Sequence, residues 1–264
     1  MRLYSGTTRS LIEDSTFNRI ALKLKDAFFN EFRYQPSVAE VNSWNNSLRA
    51  ISQVFQTASL LDHGVLLELR LPLTSKRLDC LVTGYDSKKV PNAVIIELKQ
   101  WSGCRGASGK NEVATFVGGN VRDVLHPSVQ VGQYVTYLTD CHTAFQGAGG
   151  ISAHACSYLH NYTPIEDDPL FLPQFAEQIR RSPVFTADHV PRLTAFLDGA
   201  CCNTMANMGR PPSSASSSLR GLTFRRSFVG LSLSWTCTSQ TPGNITSPRR
   251  PGRDHLQYTQ RPRT

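Results

Sequence analysis

The sequence predicts an α/β fold, a mixed sheet flanked by helices, and three observations lead to it. Strand-like apolar runs follow one another at residues 65–72, 77–84 and 92–101. Amphipathic helical patterns precede them. A further helical pattern separates them from a returning run, "GISAHACSYLHNY". Three consecutive strands, a helix and a returning strand require a mixed sheet, because the return crosses over a helix.

The elements follow in order. Ser15 or Thr16 can cap a helix running to about Phe32, with Phe17, Ile20, Leu22, Leu24 and Phe28 as its apolar positions. Ser37 can cap a second helix with Glu40 as its capping-box partner, followed by Val41, Trp44, Leu48, Ile51 and Phe55 at helical spacing. "DHG" at 62–64 stops it, and "GYDSKKVPN" connects the second and third strands. Residues 102–111 read as a loop, and "EVATFVGG" adds a short strand. Pro127 opens a helix carrying Ser128, Val131, Tyr134, Val135 and Leu138. "DDPLFLPQFAEQIRR" and "ADHVPRLTAFLDG" read as closing helices. The expected order is α-α-β-β-β-(β)-α-β-α-α.

The net charge of +8 suggests a nucleic-acid binder until it is located. Residues 1–200 hold 19 Lys/Arg and 19 Asp/Glu, whereas residues 201–264 hold nine Arg and one Asp. The chain therefore divides into a domain over residues 1–198 and a basic, low-complexity tail over 199–264. That tail has ten Ser between 201 and 264 and no Lys or Glu, and its one apolar stretch is "FVGLSLSW". Such a composition cannot bury enough surface to offset its ordering entropy. It reads as a disordered phosphate-binding arm, an inert linker, or out-of-frame translation of a GC-rich gene. The last reading accounts for the joint loss of Lys and Glu.

No run of eighteen apolar residues predicts a membrane span, and the N-terminus shows no secretory h-region. Seven cysteines without regular spacing, none in CxxC, point to reduced thiols and a cytoplasmic location.

The chemistry centres on Asp79, Glu97 and Lys99. Glu97 and Lys99 are two apart in "NAVIIELKQW", so in a strand both leave one face while Val94, Ile96 and Leu98 enter a core. Asp79 sits in the preceding run, "RLDCLVTG". A hairpin of these runs brings two carboxylates and one ammonium together. Close carboxylates repel unless a cation compensates, and Mg²⁺ or Mn²⁺ held by Asp79 and Glu97 would do so, with Lys99 orienting an attacking water. The competing reading is a cross-strand salt bridge.

On the helix from Pro127, Gln130 and Tyr134 share a face, as do Gln133 and Tyr137. Such a face suits either a nucleic-acid backbone or an ordinary polar rim. Lys76 and Arg77 precede Asp79 and can hold a phosphate or form a solvated strand end. "CRGASGKN" is no phosphate-binding loop, since the motif needs Gly where Cys104 stands and Ser or Thr where Asn111 stands. The seven histidines show no H-x-x-x-H or H-E-x-x-H spacing, although His126 and His160 stand where either can line a cleft. No G-x-S-x-G elbow is present.

These residues resemble two nested families. Asp79 with Glu97-Leu98-Lys99 is similar to the motif of the PD-(D/E)XK (restriction-endonuclease-like) nucleases, and Gln130 to Tyr134 resembles the Q-x-x-x-Y helix of the RecB-type branch. More narrowly, "LPLTSKRLDCLVTG", "AVIIELKQW", "TFVGG", "HPSVQVGQY" and "YLHNY" resemble the N-terminal region of bacterial Schlafen-like DNA/RNA helicase-domain ATPases. That similarity spans roughly residues 1–198. It implies a metal-dependent nuclease-like domain on DNA or RNA, with Asp79, Glu97 and Lys99 catalytic and Gln130, Tyr134, Lys76 and Arg77 toward nucleic acid. The same family resemblance allows a non-catalytic nucleic-acid-binding or regulatory module. The family continues into a P-loop ATPase domain. No Walker A motif occurs in this chain, so no ATPase activity is expected of it, and a truncated or frameshifted product is the corresponding expectation.

Overall fold

The computed structural model describes residues 1–147 and 149–201. From residue 202 the basic tail, with its expected disorder or frameshift, lies outside the described residues.

The chain opens with a strand the sequence reading missed, β1 (Tyr4–Thr7), paired antiparallel to β2 (Gly64–Arg70). Its last residue, Thr7, caps α1 (Thr8–Thr16) by accepting from the Ser10 amide. This helix precedes the one expected from Ser15 or Thr16 to Phe32 and was missed, and the expected helix starts later, at Ile20. Asn18 adopts a left-handed φ of 55°, which Asn tolerates better than most residues, and ends the first run. α2 (Ile20–Phe32) then starts afresh and stops at Arg33, also left-handed. Ser37 caps α3 (Val38–Thr57) through the Glu40 amide, as expected. The Glu40 carboxylate does not complete a capping box but reaches Arg77 instead.

β2, β3 (Arg77–Tyr85) and β4 (Pro91–Lys99) form an antiparallel meander. α4 (Pro127–Cys141) carries the chain back to β8 (Ser152–Leu159), parallel to β4, and β9 (Val184–Thr186) extends that parallel edge. The six-stranded order is β1-β2-β3-β4-β8-β9, a mixed sheet. β9 is a second strand absent from the expectation. Three residues are too few for a periodic signal. Between β4 and α4 the expected loop and single strand are a separate three-stranded sheet of β5 (Arg105–Gly106), β6 (Glu112–Val117) and β7 (Asn120–Leu125). The turn at Gly118 and Gly119 has φ of 59° and 84°, which glycine permits and which joins β6 to β7 by two residues. The closing helices are shorter than expected: α5 (Ala176–Arg181) follows two 3₁₀ turns, and α6 (Val190–Ala200) follows another.

The sheet is covered on both faces, which explains why β4 is buried at nearly every position. Val94, Ile96 and Leu98 join Val65, Leu67, Cys80 and Val82 beneath α1, α2, α3 and α6. Ala93 and Ile95 pack with Val131, Tyr134 and Leu138 of α4 on the other side. A third cluster, including Trp101, Val113, Tyr162 and Phe175, seats the small sheet. Among the described residues, no helix is long and apolar enough to cross a membrane.

Candidate active site

The centre lies where β3 and β4 stop pairing. Their ladder ends at Cys80↔Ile96. One residue further along, the Asp79 side chain takes the strand's place: its Oδ2 accepts from the Leu98 amide at 2.8 Å. The donor that a regular ladder would have satisfied is thus used to aim a carboxylate.

A local switch in β2 and β3 brings Asp79 there. Leu67↔Cys80 and Leu69↔Leu78 bracket Glu68 and Asp79, so these two face each other across the ribbon. Glu68 has a left-handed φ of 53°, uncommon for a residue with a long side chain. The alternation flips at this point: Leu67 and Cys80 belong to the α3-side core, Leu69 and Leu78 to the α4-side core. Glu68 is buried, yet the sequence reading did not single it out. A lone acid inside "VLLELRL", placed opposite Asp79 by hairpin register, was the signal that could have found it.

Glu97 is 3 % exposed and lies at the centre of a polar network. Its Oε1 accepts from Lys99 Nζ at 2.6 Å and from Gln130 Nε2 at 2.7 Å. Gln130 uses its oxygen to accept from Lys99 Nζ at 3.0 Å, and its Nε2 also reaches the Tyr134 hydroxyl at 2.9 Å. α4 sets this geometry. Pro127 occupies its first turn, and His126 caps it through Nδ1, which accepts from the Ser128 amide at 3.2 Å. The i, i+4 spacing then stacks Gln130 and Tyr134 over Glu97. Glu97 Oε2 is buried and has no hydrogen-bond partner among the described residues. An orphaned carboxylate oxygen beside a second carboxylate fits a cation's requirement for hard oxygen ligands. Two such side chains are all that this fit offers, since among the described residues no group of three or more His, Cys, Asp or Glu is arranged to hold a metal.

The electrostatics follow from burial. Desolvation pushes the Asp79 carboxyl well above its ordinary range, and Glu97 and Glu68 push it further than Lys99 and the Leu98 amide pull it back. Burial acts against the Lys99 ammonium, but Glu97 and Asp79 outweigh it and leave its pKa raised. Burial lifts Glu68 to about 7 despite Arg77 and the Trp44 indole, which donates at 2.8 Å.

Asp79, Glu97, Lys99, Gln130 and Tyr134 therefore converge. Lys76 is at the rim, donating to Gln133 at 2.7 Å and lying 6.0 Å from the centre of the Tyr134 ring. Arg77 is held by Glu68 at 2.8 Å and by Glu40, within reach of the Asp79 charge but not bonded to it. It braces β3 against β2 and α3. His126 is fully buried against Phe175 and lines no cleft. His160 binds Ser47 at 3.2 Å at the end of β8.

No protein-family model matches this chain, and neither a curated protein nor a solved structure does.

Proposed function

We propose that residues 1–198 form a metal-dependent nuclease-like domain acting on DNA or RNA, of the PD-(D/E)XK type and akin to the N-terminal region of Schlafen-like helicase-domain ATPases. The observation that carries this reading is the meeting of Asp79, Glu97 and Lys99 around an unpaired buried carboxylate oxygen.

In this reading Asp79 and Glu97 hold Mg²⁺ or Mn²⁺. The bound cation supplies charge for the phosphate oxygens and makes a water more acidic. The chain's own residues do the rest. Lys99 pairs with Glu97 and its charge also acts on Asp79, so it is the group that orients a water or offsets charge gathering on the phosphate. Gln130 fixes the Glu97 carboxylate and keeps Lys99 in line. Lys76, at the exposed rim beside the buried Tyr134, faces the polynucleotide backbone, and Tyr134 holds Gln130 in place.

One observation favours a second reading. Lys99 already neutralises Glu97 from within the protein. A non-catalytic nucleic-acid-binding or regulatory module of a helicase-like ATPase would keep that ion pair for stability. The two readings separate in a cleavage assay on single- and double-stranded DNA and RNA with Mg²⁺ or Mn²⁺. Wild type should cut, and Asp79→Ala and Lys99→Ala should not. Equal behaviour of all three proteins would end the nuclease assignment, and binding without cutting would establish the module.

A further inference from the structure

Ser157 stands beside Glu97 on the next strand. β4 and β8 run parallel, with Ile95↔Ala155 and Glu97↔Ser157 in register. Ile95 and Ala155 pack together in the α4-side core, so by alternation Glu97 and Ser157 leave the sheet on that same face. Ser157 is fully buried, and its hydroxyl has no hydrogen-bond partner among the described residues. Glu97 Oε2 is in the same condition. So is the hydroxyl of Ser128, in the first turn of α4, the helix that packs on both strands. Each such atom is costly to leave unpaired, and here two of them belong to adjacent positions on one face.

The two oxygens of Glu97 are served unequally. Oε1 accepts from both Lys99 and Gln130, while Oε2 accepts from neither. A carboxylate oxygen only accepts, so the group that serves Oε2 must donate. Ser157 does not reach it directly, since neither atom has a partner. The lengths of the two side chains explain why. A glutamate carboxylate stands two bonds further from the backbone than a seryl hydroxyl, which leaves a step on the sheet beyond Ser157. Its floor is the Ser157 hydroxyl and its wall is Glu97 Oε2, with α4 packed over the strands. A water in such a step donates to the carboxylate and still exchanges a bond with a hydroxyl, which can give or accept.

We propose that Ser157 is a positioning residue of this site: together with Ser128 it anchors one ordered water that donates to Glu97 Oε2 and fixes where that oxygen points. A ligating carboxylate oxygen keeps a lone pair for such a bond, and outer partners of this kind typically change metal affinity about 10–100-fold. The effect on a cation rests on the nuclease reading, whereas the water and its anchor do not.

The test compares the full-length wild type with Ser157→Ala, Ser157→Val and Ser157→Thr. Val and Thr share a shape and differ in the hydroxyl, so they separate the hydrogen bond from packing. A high-resolution crystal structure of the metal-free wild type should show a water within hydrogen-bond distance of Ser157 Oγ and Glu97 Oε2, and Ser157→Ala should lose it. Ser157→Ala should melt about 2–4 °C below wild type. Removal of an idle buried hydroxyl would instead leave the melting temperature level or raise it. Calorimetric titration with Mn²⁺ should show binding weakened about tenfold or more in Ser157→Ala and Ser157→Val, and near wild type in Ser157→Thr. A dry step in the crystal structure, or Ser157→Ala melting at or above wild type, would overturn the proposal. Equal Mn²⁺ affinity in all four proteins would overturn the positioning role. A wild type that binds no Mn²⁺ would count against the nuclease reading instead, and the crystal structure and the melts would still decide on the water.

Discussion

Glu68 lies across the β2–β3 ribbon from Asp79, and each stands where its strand changes from one core to the other. The left-handed backbone of Glu68 accompanies that change, and the Asp79 carboxylate ends up on the backbone of the neighbouring strand. A left-handed backbone at a residue with a long side chain carries a cost of order 1–3 kcal/mol, which the surrounding strands must over-determine.

The raised pKa of Glu68 sets a pH dependence. Its carboxyl shifts from an ordinary 4.5 to about 7 on folding, chiefly by burial. The folded state therefore holds a proton that the unfolded state has released between those values. Stability from this group is complete below pH 4.5 and falls as pH rises toward 7, by up to ~3 kcal/mol. Glu68→Gln keeps an acceptor for the Trp44 indole and removes the titration. Urea melts from pH 5 to 8 should show a smaller loss of stability with rising pH in the variant than in wild type.

Lys99→Met tests whether the carboxylates need a cation. Breaking a buried pair leaves Glu97 charged and unanswered, at a cost of roughly 3 kcal/mol. In the nuclease reading, millimolar Mn²⁺ should recover much of the lost melting temperature. A variant equally destabilised with and without Mn²⁺ would argue for a purely structural ion pair.

Asp79 has two separable tasks. Asp79→Asn retains an oxygen for the Leu98 amide and should stay within about 1 kcal/mol of wild type, whereas Asp79→Leu orphans that amide and should cost ~1–3 kcal/mol. Both should lose any Mn²⁺-induced rise in melting temperature, which differential scanning fluorimetry reads directly.

The two glutamines of α4 should part company. Gln130→Ala removes contacts to Glu97, Lys99 and Tyr134 and should cost about 1–2 kcal/mol. Gln133→Ala frees only the exposed Lys76 and should change stability by less than about 0.5 kcal/mol. Thermal melts of both variants decide this.

Period and spacing are local properties, and they were enough to mark the mixed sheet, the α4 helix and the residues Asp79, Glu97, Lys99, Gln130 and Tyr134. Glu97 and Lys99 share a strand face by alternation alone, and Gln130 and Tyr134 share a helix face by the 3.6-residue turn. The break at Asn18 was harder to read, since apolar residues continue on both sides of it and Asn disfavours helix only weakly. The strands β1 and β9 are too short to carry a pattern. That Arg77 serves Glu68 and Glu40 while Lys76 stays at the rim follows from packing, because two adjacent cations look alike until their partners are in place. The facing of Glu68 and Asp79 follows from packing too, since it depends on one backbone dihedral angle and on a register between strands. Pairing across strands is a long-range relation, and no single stretch of sequence contains it.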